Sequence, residues 1–281
     1  MGLVEDGRNF SIDYFSGTGY QSCGLHRHSF HELLFVQEGK LNFLVDDKLY
    51  KADGSCIILF KEKRLHTSEV DKNVVYTRYN VNFRHKFIQD ITDYEQLRDF
   101  FAADCTVIPV SNDDKNYFCP LFEVLYKNFA TIGSDPYSEQ ICRHLFAAIL
   151  GGVSRIAGNT PDICGAYIDR SYISDVVKYI NDNLSKKLII AEIGAVYYVS
   201  RAKLMTDFKT STGITIGDYI ISQRLKLAKS MLREGKDVSS TAVAAGFVNA
   251  CHFIRTFKKH NGVTPLQYAH AHAAKNVFVH S

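Results

Sequence analysis

No stretch of the 281 residues approaches the roughly 20 consecutive apolar residues that a membrane span needs, so no membrane partner is expected. The opening MGLVEDGRNF has no basic region followed by an apolar one, and no secretory signal is read there. None of the seven cysteines (23, 56, 105, 119, 142, 164 and 251) belongs to a C-x-x-C pair. Scattered and odd in number, they speak against a disulfide framework or a zinc finger and for a reducing, cytoplasmic setting.

What is present is ordinary for a globular chain: 46% hydrophobic and 22% charged residues. The length suggests about two domains. The net charge of +3 conceals an asymmetry. Residues 1–170 hold 18 Lys and Arg against 23 Asp and Glu, a balance of −5; residues 171–281 hold 15 against 7, a balance of +8. A polyanion partner is therefore expected for the back half only.

The front half has the period of strands. In LNFLV (41–45), Leu41, Phe43 and Val45 alternate with other residues. In VYTRYNVNF (75–83), Val75, Thr77, Tyr79, Val81 and Phe83 share one face, and Arg78, Asn80 and Asn82 the other. That pattern predicts a half-buried strand. Asp46-Asp47, Asp53-Gly54 and Asp71-Lys72-Asn73 supply turns, so a sandwich or barrel is expected over 1–112. From 113 the period turns helical. Phe118, Leu121, Phe122, Leu125 and Phe129 form one stripe in 114–130, and Ile141, Leu145, Ala148 and Ile149 another in 137–156. The turn-rich AGNTPDICG opens a linker spanning 157–170, and 171–281 is helical throughout.

The back half repeats itself at an offset of 49. Leu204, Phe208, Lys209, Gly213, Ile214, Thr215 and Tyr219 match Phe253, Phe257, Lys258, Gly262, Val263, Thr264 and Tyr268. Ser200 and Asn249 also correspond, and both are good helix N-caps. Each copy predicts a short helix (188–196 and 238–245), a turn, and a second helix (201–210 and 250–260) stopped by Gly213 or Gly262. Gly194 and Ala242 suit the close crossing, and Gly246 the second turn. Two helix-turn-helix units result, each second helix anchored by Leu204 and Phe208, or by Phe253 and Phe257. Their opposite faces suit a DNA major groove. Candidate DNA residues are Ser200, Arg201, Ala202, Lys203, Met205, Thr206 and Lys209 in the first unit, and Asn249, Ala250, Cys251, His252, Arg255, Lys258 and Lys259 in the second. Arg255 suits base reading, because a guanidinium can bind guanine O6 and N7 together. Lys209, Lys258 and Lys259 suit phosphates.

A-x-x-x-G-F from Ala242 to Phe247, F-x-R-x-F-K-K from Phe253 to Lys259, and G-V-T-P-x-x-Y from Gly262 to Tyr268 follow one another in order. With the QRLKLAKSML run (223–232) as joining helix, residues 171–270 resemble the DNA-binding region of the AraC/XylS family of bacterial transcription regulators. Thr241 stands where that family usually has an aliphatic residue, Tyr198 at a turn position often held by glycine, Cys251 for a common serine, and Ala269 where arginine is common. The resemblance implies two recognition helices on one side of double-stranded operator DNA, in major-groove segments about 10 bp apart. Activation is the commoner outcome it implies, with RNA polymerase as the partner of an activator; sugars are frequent effectors.

In HRHSFHELLFVQEG (26–39), His26-x-His28 precedes Glu32, and His66 lies further on. This resembles the first motif of cupin barrels, whose metal-binding members use two histidines, a glutamate and a later histidine. Imidazole with carboxylate suits first-row divalent metals. Yet no Pro-x-Gly precedes His66 and no Asn follows it by four, and His31 adds an unassigned imidazole. The reading adopted is metal-free and cofactor-free: His26, His28, Glu32 and His66 are hydrogen-bonded to partners or line the mouth of a small-molecule pocket. The helical segment 113–156 is expected to form a homodimer, since its apolar residues exceed what one flank of a small barrel needs. The expected protein is multidomain, with an N-terminal all-β cupin-like barrel and flanking helices, then a C-terminal all-α double helix-turn-helix. Its expected role is a ligand-responsive regulator; the alternative is a metal-dependent cupin enzyme with an appended helical domain.

Overall fold

The computed structural model describes residues 9–21, 24–87, 105–158 and 171–277, with Gln89, Ala103 and Asp169; side chains are described as far as Ala271. They form two compact units that divide after Asp169. Most of the linker expected at 157–170 lies outside the described residues, though Ala157 and Gly158 belong to the preceding helix.

Among the described residues the first unit has eight strands, all paired antiparallel. They are β1 (Phe10–Gly17), β2 (His31–Glu38), β3 (Lys40–Val45), β4 (Lys48–Asp53), β5 (Cys56–Phe60), β6 (His66–Val70), β7 (Tyr76–Phe83) and β8 (Cys105–Pro109). One sheet runs β1-β7-β2-β5-β8, the other β4-β3-β6. Asp46, in the left-handed region at φ 54°, turns β3 into β4 where the Asp46-Asp47 pair predicts it. Gly39, at φ 143°, carries the chain from β2 in one sheet to β3 in the other; a Cβ there would lie 2.6 Å from Tyr76 Cδ2.

Strand alternation divides the apolar side chains between two cores. Leu34 and Val36 of β2, Ile58 and Phe60 of β5, and Val107 of β8 join Phe43, Tyr50 and Val70 of the three-stranded sheet. Leu33, Phe35, Ile57, Leu59 and Ile108 face the other way. There they meet α1 (Asn112–Phe129) and α2 (Ser138–Gly158). Ser111 starts α1 with a capping box, its Oγ accepting from Asp114 N at 3.1 Å.

This layering corrects two expectations. The β7 strand is buried on both faces, not one: Tyr79, Val81 and Phe83 meet the helices, while Arg78 and Asn82 are only 6% and 8% exposed. Arg78 tolerates burial because it donates to Asp13 Oδ1 at 2.6 Å and to the Tyr20 hydroxyl at 3.0 Å. The helical stripes also lose their surplus, since Phe118, Phe122, Leu125 and Ile149 are fully buried against their own sheet and Phe129 and Leu145 partly so. By length and composition α2 could cross a membrane, more apolar than the sequence reading allowed. Its Cys142, Phe146, Ile149 and Val153 lie instead in the core.

Among the described residues the second unit is all helix: α3 (Tyr172–Asp182), α4 (Ile190–Val196), α5 (Arg201–Thr212), α6 (Ile216–Arg233), α7 (Val238–Ala244), α8 (Ala250–Asn261) and α9 (Pro265–Val277). The expected stripe of α3, Ile173, Val176, Val177 and Ile180, is buried. The GVTP segment is a stop followed by a start. Gly262 ends α8 in the left-handed region at φ 75°. Thr264 Oγ1 then accepts from Gln267 N at 3.3 Å while Gln267 Oε1 accepts from Thr264 N at 2.9 Å, and Pro265 opens α9. The first copy does the same with Gly213 and with Thr215, which caps α6 by accepting from Asp218 N.

Phe122 tests the first core. Its ring stacks on Phe35 at 4.8 Å and on Tyr79 at 5.5 Å, fully buried. Phe122→Ala is expected to cost about 3–5 kcal/mol, read as a lower midpoint of urea unfolding followed by circular dichroism. An unchanged midpoint contradicts this layering.

Candidate functional site

Two helix-turn-helix units lie in the second unit: α4 with α5, and α7 with α8. The turns share one geometry. Val199 N–H donates to Gly194 O at 2.9 Å, and Phe247 N–H to Ala242 O at 3.0 Å. Those pairs are 48 positions apart, whereas the caps Ser200 and Asn249 are 49 apart. The second turn therefore holds one more residue, Val248, 89% exposed. At Gly194 a Cβ would stand 2.7 Å from Val199 O, so the crossing needs the glycine. The left-handed residue is Tyr198 (φ 57°) in one turn and Gly246 (φ 84°) in the other. Tyr198 is almost fully exposed, and only backbone strain opposes a side chain there. At Gly246 a Cβ would lie 2.0 Å from Leu184 O.

The second helices are held as the repeat predicts. Leu204, Phe208, Phe253 and Phe257 are fully buried. Phe257 meets Phe253 and Tyr268, each at 5.5 Å between ring centroids; Phe208 meets Tyr219 at 5.6 Å. On the opposite faces Arg201, Ala202, Met205, Thr206 and Lys209 are exposed in α5, as are Cys251, Ile254, Arg255, Lys258 and Lys259 in α8. Other candidate residues are engaged inside the unit. Ser200 Oγ accepts from Lys203 N at 3.2 Å and Asn249 Oδ1 from His252 N at 2.8 Å, as caps. The Lys203 ammonium pairs with Asp207 at 2.8 Å, and Asp207 also accepts from the Tyr172 hydroxyl. Ala250 and His252 are half-buried, the imidazole edge-on to Phe247 at 5.8 Å.

Arg224 went unnoticed in the sequence, one more cation in a basic helix. Its Nε donates to Leu184 O at 3.0 Å and a terminal nitrogen to Lys186 O at 2.8 Å. It thus ties α6 to the segment after α3, beside the Gly246 turn. Lys229 likewise lies near the Phe257 and Tyr268 rings, at 6.0 and 5.9 Å. Part of the basic surplus is therefore internal. Thr241, where an aliphatic residue is usual, is fully buried, and its hydroxyl has no hydrogen-bond partner in the described structure.

The first unit brings His26, His28, Glu32 and His66 together, their ligating atoms all within 4.8 Å of one another. Glu32 Oε2 stands 3.0 Å from both His28 Nε2 and His66 Nε2. Burial alone would raise the Glu32 pKa; the hydrogen bonds and charge of His28 and His66 outweigh it and hold the carboxyl well below the ordinary carboxylate range. Burial and the neighbouring His66 lower the pKa of His26. His31 stays apart: Glu62 N donates to its Nδ1 at 3.4 Å, its ring lies 5.4 Å from Phe83, and burial lowers its pKa to about 4.

Comparisons with known proteins match the two parts of the chain to separate family models. Residues 10–152 match the AraC-like ligand binding domain model, and residues 193–271 a helix-turn-helix domain model. Over 102 residues the chain is 30% identical to the probable transcriptional regulator LumQ of Photobacterium leiognathi, covering 36% of this chain and 41% of that protein. The match therefore spans less than half of LumQ. Longer similarity, 20% over 251 residues, covers 87% of the chain and 86% of the transcriptional activator RhaR of Enterobacter sp. (strain 638). Among solved structures, ToxT of Vibrio cholerae is similar at 15% identity and a TM-score of 0.37, over 93% of this chain and 98% of that one.

The two glycine positions separate strain from collision. Gly262 has nothing within 4 Å of an added Cβ, so Gly262→Ala is expected to cost only about 1 kcal/mol. Gly246→Ala, meeting the Leu184 carbonyl, is expected to cost roughly 3–5 kcal/mol or to prevent folding. Thermal melts of the two variants compare them directly; equal melting temperatures would mean that the Gly246 turn does not pack as described.

Proposed function

Because the chain belongs to the AraC family of transcription regulators, we propose that it binds operator DNA through α5 and α8 under the control of a small molecule sensed by its first unit. It is a regulator and not an enzyme: its relatives LumQ and RhaR are named as a probable transcriptional regulator and a transcriptional activator. One observation carries the reading. Both helices are pinned by fully buried side chains on one side and leave five exposed positions on the other. A surface held so rigidly can enter a groove without losing much conformational entropy.

Roles within that surface follow from exposure and chemistry. Arg255 reads a base, its guanidinium carried on the exposed middle of α8. Lys209, Lys258 and Lys259 meet phosphates, and the last two also complement the C-terminal end of the α8 dipole. Arg201 is the leading contact of the first unit, since Lys203 is paired with Asp207. The name of RhaR supports activation; RNA polymerase, the partner that the family resemblance implies for an activator, is proposed with it. Control is linkage: an effector that prefers one state of the protein shifts its affinity for the operator. A sugar effector rests on family resemblance alone. A second copy of the chain is the proposed partner of the apolar residues left exposed on and beside α1 and α2, Val124, Tyr137 and Ile141.

Arg255→Ala is expected to lower operator affinity by about 1–3 kcal/mol and to relax preference at one base pair. Lys259→Ala is expected to weaken all sequences alike and to reduce the slope of log K against log salt by about 1. Fluorescence anisotropy on a selected operator and its single-base variants, at several salt concentrations, checks both. Uniform weakening by Arg255→Ala would reassign that residue to a phosphate. No binding by the intact protein to any selected duplex would end the reading.

A further inference from the structure

The first unit holds a constellation that the regulator reading does not use. His26 Nδ1 lies 2.8 Å from Gly24 O, His28 Nδ1 2.9 Å from Phe30 O, and His66 Nδ1 3.0 Å from Arg64 O. A carbonyl oxygen only accepts, so each Nδ1 carries the proton. In the neutral ring the lone pair is then on Nε2. The Nε2 atoms of His28 and His66 both stand 3.0 Å from the same oxygen of Glu32. With Glu32 ionised, hydrogen bonds there need a second proton on each ring. Two imidazolium ions would then lie 4.8 Å apart, with the His26 ring 4.3 Å from His66, against a single carboxylate. A cation placed among the Nε2 atoms removes the conflict: the rings stay neutral and Glu32 supplies the negative charge.

The surroundings fix those atoms in place. His26 and His66 exchange backbone hydrogen bonds of 2.9 Å in both directions. Phe30 stacks on His28 at 3.8 Å and Phe60 on His66 at 4.6 Å, both nearly parallel. Glu32 comes from one sheet and His66 from the other. Nδ1–H bonds to carbonyls are the outer contacts that orient histidine ligands toward a metal. Ligands about 2.1 Å from an ion stand about 3–4 Å from one another; the Nε2 atoms of His28 and His66 stand 3.0 Å from Glu32 Oε2, and one ligating atom of each of the four residues lies within 4.8 Å of the others. A small contraction closes the shell.

We propose that His26, His28 and His66, through Nε2, and Glu32, through its carboxylate, bind one first-row divalent metal ion. Three imidazoles and one carboxylate suit Zn²⁺, Fe²⁺, Co²⁺ or Ni²⁺ and disfavour Ca²⁺ and Mg²⁺, which take oxygen ligands. The proposal departs from the metal-free expectation because the spacing of these residues in the chain says nothing of ring orientation.

The test uses the full chain, stripped with chelator and titrated with Zn²⁺ by calorimetry and with Co²⁺ by visible absorption. One equivalent of each is expected to bind, with a higher melting temperature in Zn²⁺ and d–d bands for Co²⁺. His26→Ala and Glu32→Gln are each expected to weaken binding by at least tenfold. His26, less buried than Glu32 or His66, provides the variant that keeps the fold if Glu32→Gln does not. Failure of the wild-type chain to bind one equivalent overturns the proposal. So does unchanged affinity in His26→Ala, which would mark the ion as an adventitious one on other histidines. No DNA enters the measurement, so this site and the regulator reading stand or fall separately.

Discussion

Phe257 lies between Phe253 and Tyr268, 5.5 Å from each ring, and the exposed face of α8 depends on that contact. A helix of twelve residues is marginal in water, so its position comes from what its apolar side meets. With Phe253 and Phe257 fully buried, the rotation of the helix is set, and Cys251, Arg255 and Lys258 are forced outward by the 3.6-residue period. The first copy relies on Phe208 and Tyr219, whose hydroxyl accepts from Asn181 Nδ2 at 2.6 Å. A motif whose glycine stops one helix, whose threonine caps the next and whose tyrosine returns to the first aromatic is therefore a single mechanical device used twice.

In the first unit the ordering constraint is that the five-stranded sheet is covered on both faces. Helices α1 and α2 fill one side, and the smaller sheet the other. This is why Arg78 needs Asp13 and Tyr20, and why Glu32 needs histidines around it. A charge on a strand buried on both faces is stable only with its partners in place. It is also why the apolar stripes of α1 and α2 are consumed within the chain, so that they no longer argue for a partner by their size alone.

Much of the architecture was legible in the residues because it rests on local chemistry. The two periods, the Ser200 and Asn249 caps, the Gly262 stop and the buried Leu204, Phe208, Phe253 and Phe257 follow from spacing and side-chain type. The misreadings concern neighbours distant in sequence. Nothing near Arg78 announces Asp13, and nothing near Arg224 announces the carbonyls of Leu184 and Lys186. Arg224 and Lys229 belong to the basic surplus of residues 171–281, so less of that surplus is free to face outward than the charge balance suggests.

The same division holds for the whole chain. Composition, repeat and motif by themselves determined that a strand-rich front precedes two helix-turn-helix units, because periodicity and capping act within a few residues of each other. They also brought His26, His28, Glu32 and His66 forward as candidates. Only the tertiary structure decided that these four meet, that each histidine Nδ1 turns to a backbone carbonyl, and that Arg224 reaches the carbonyls of Leu184 and Lys186. Ring orientation and side-chain availability depend on which strands and turns come together in space, and that pairing has no signature at a fixed distance along the chain.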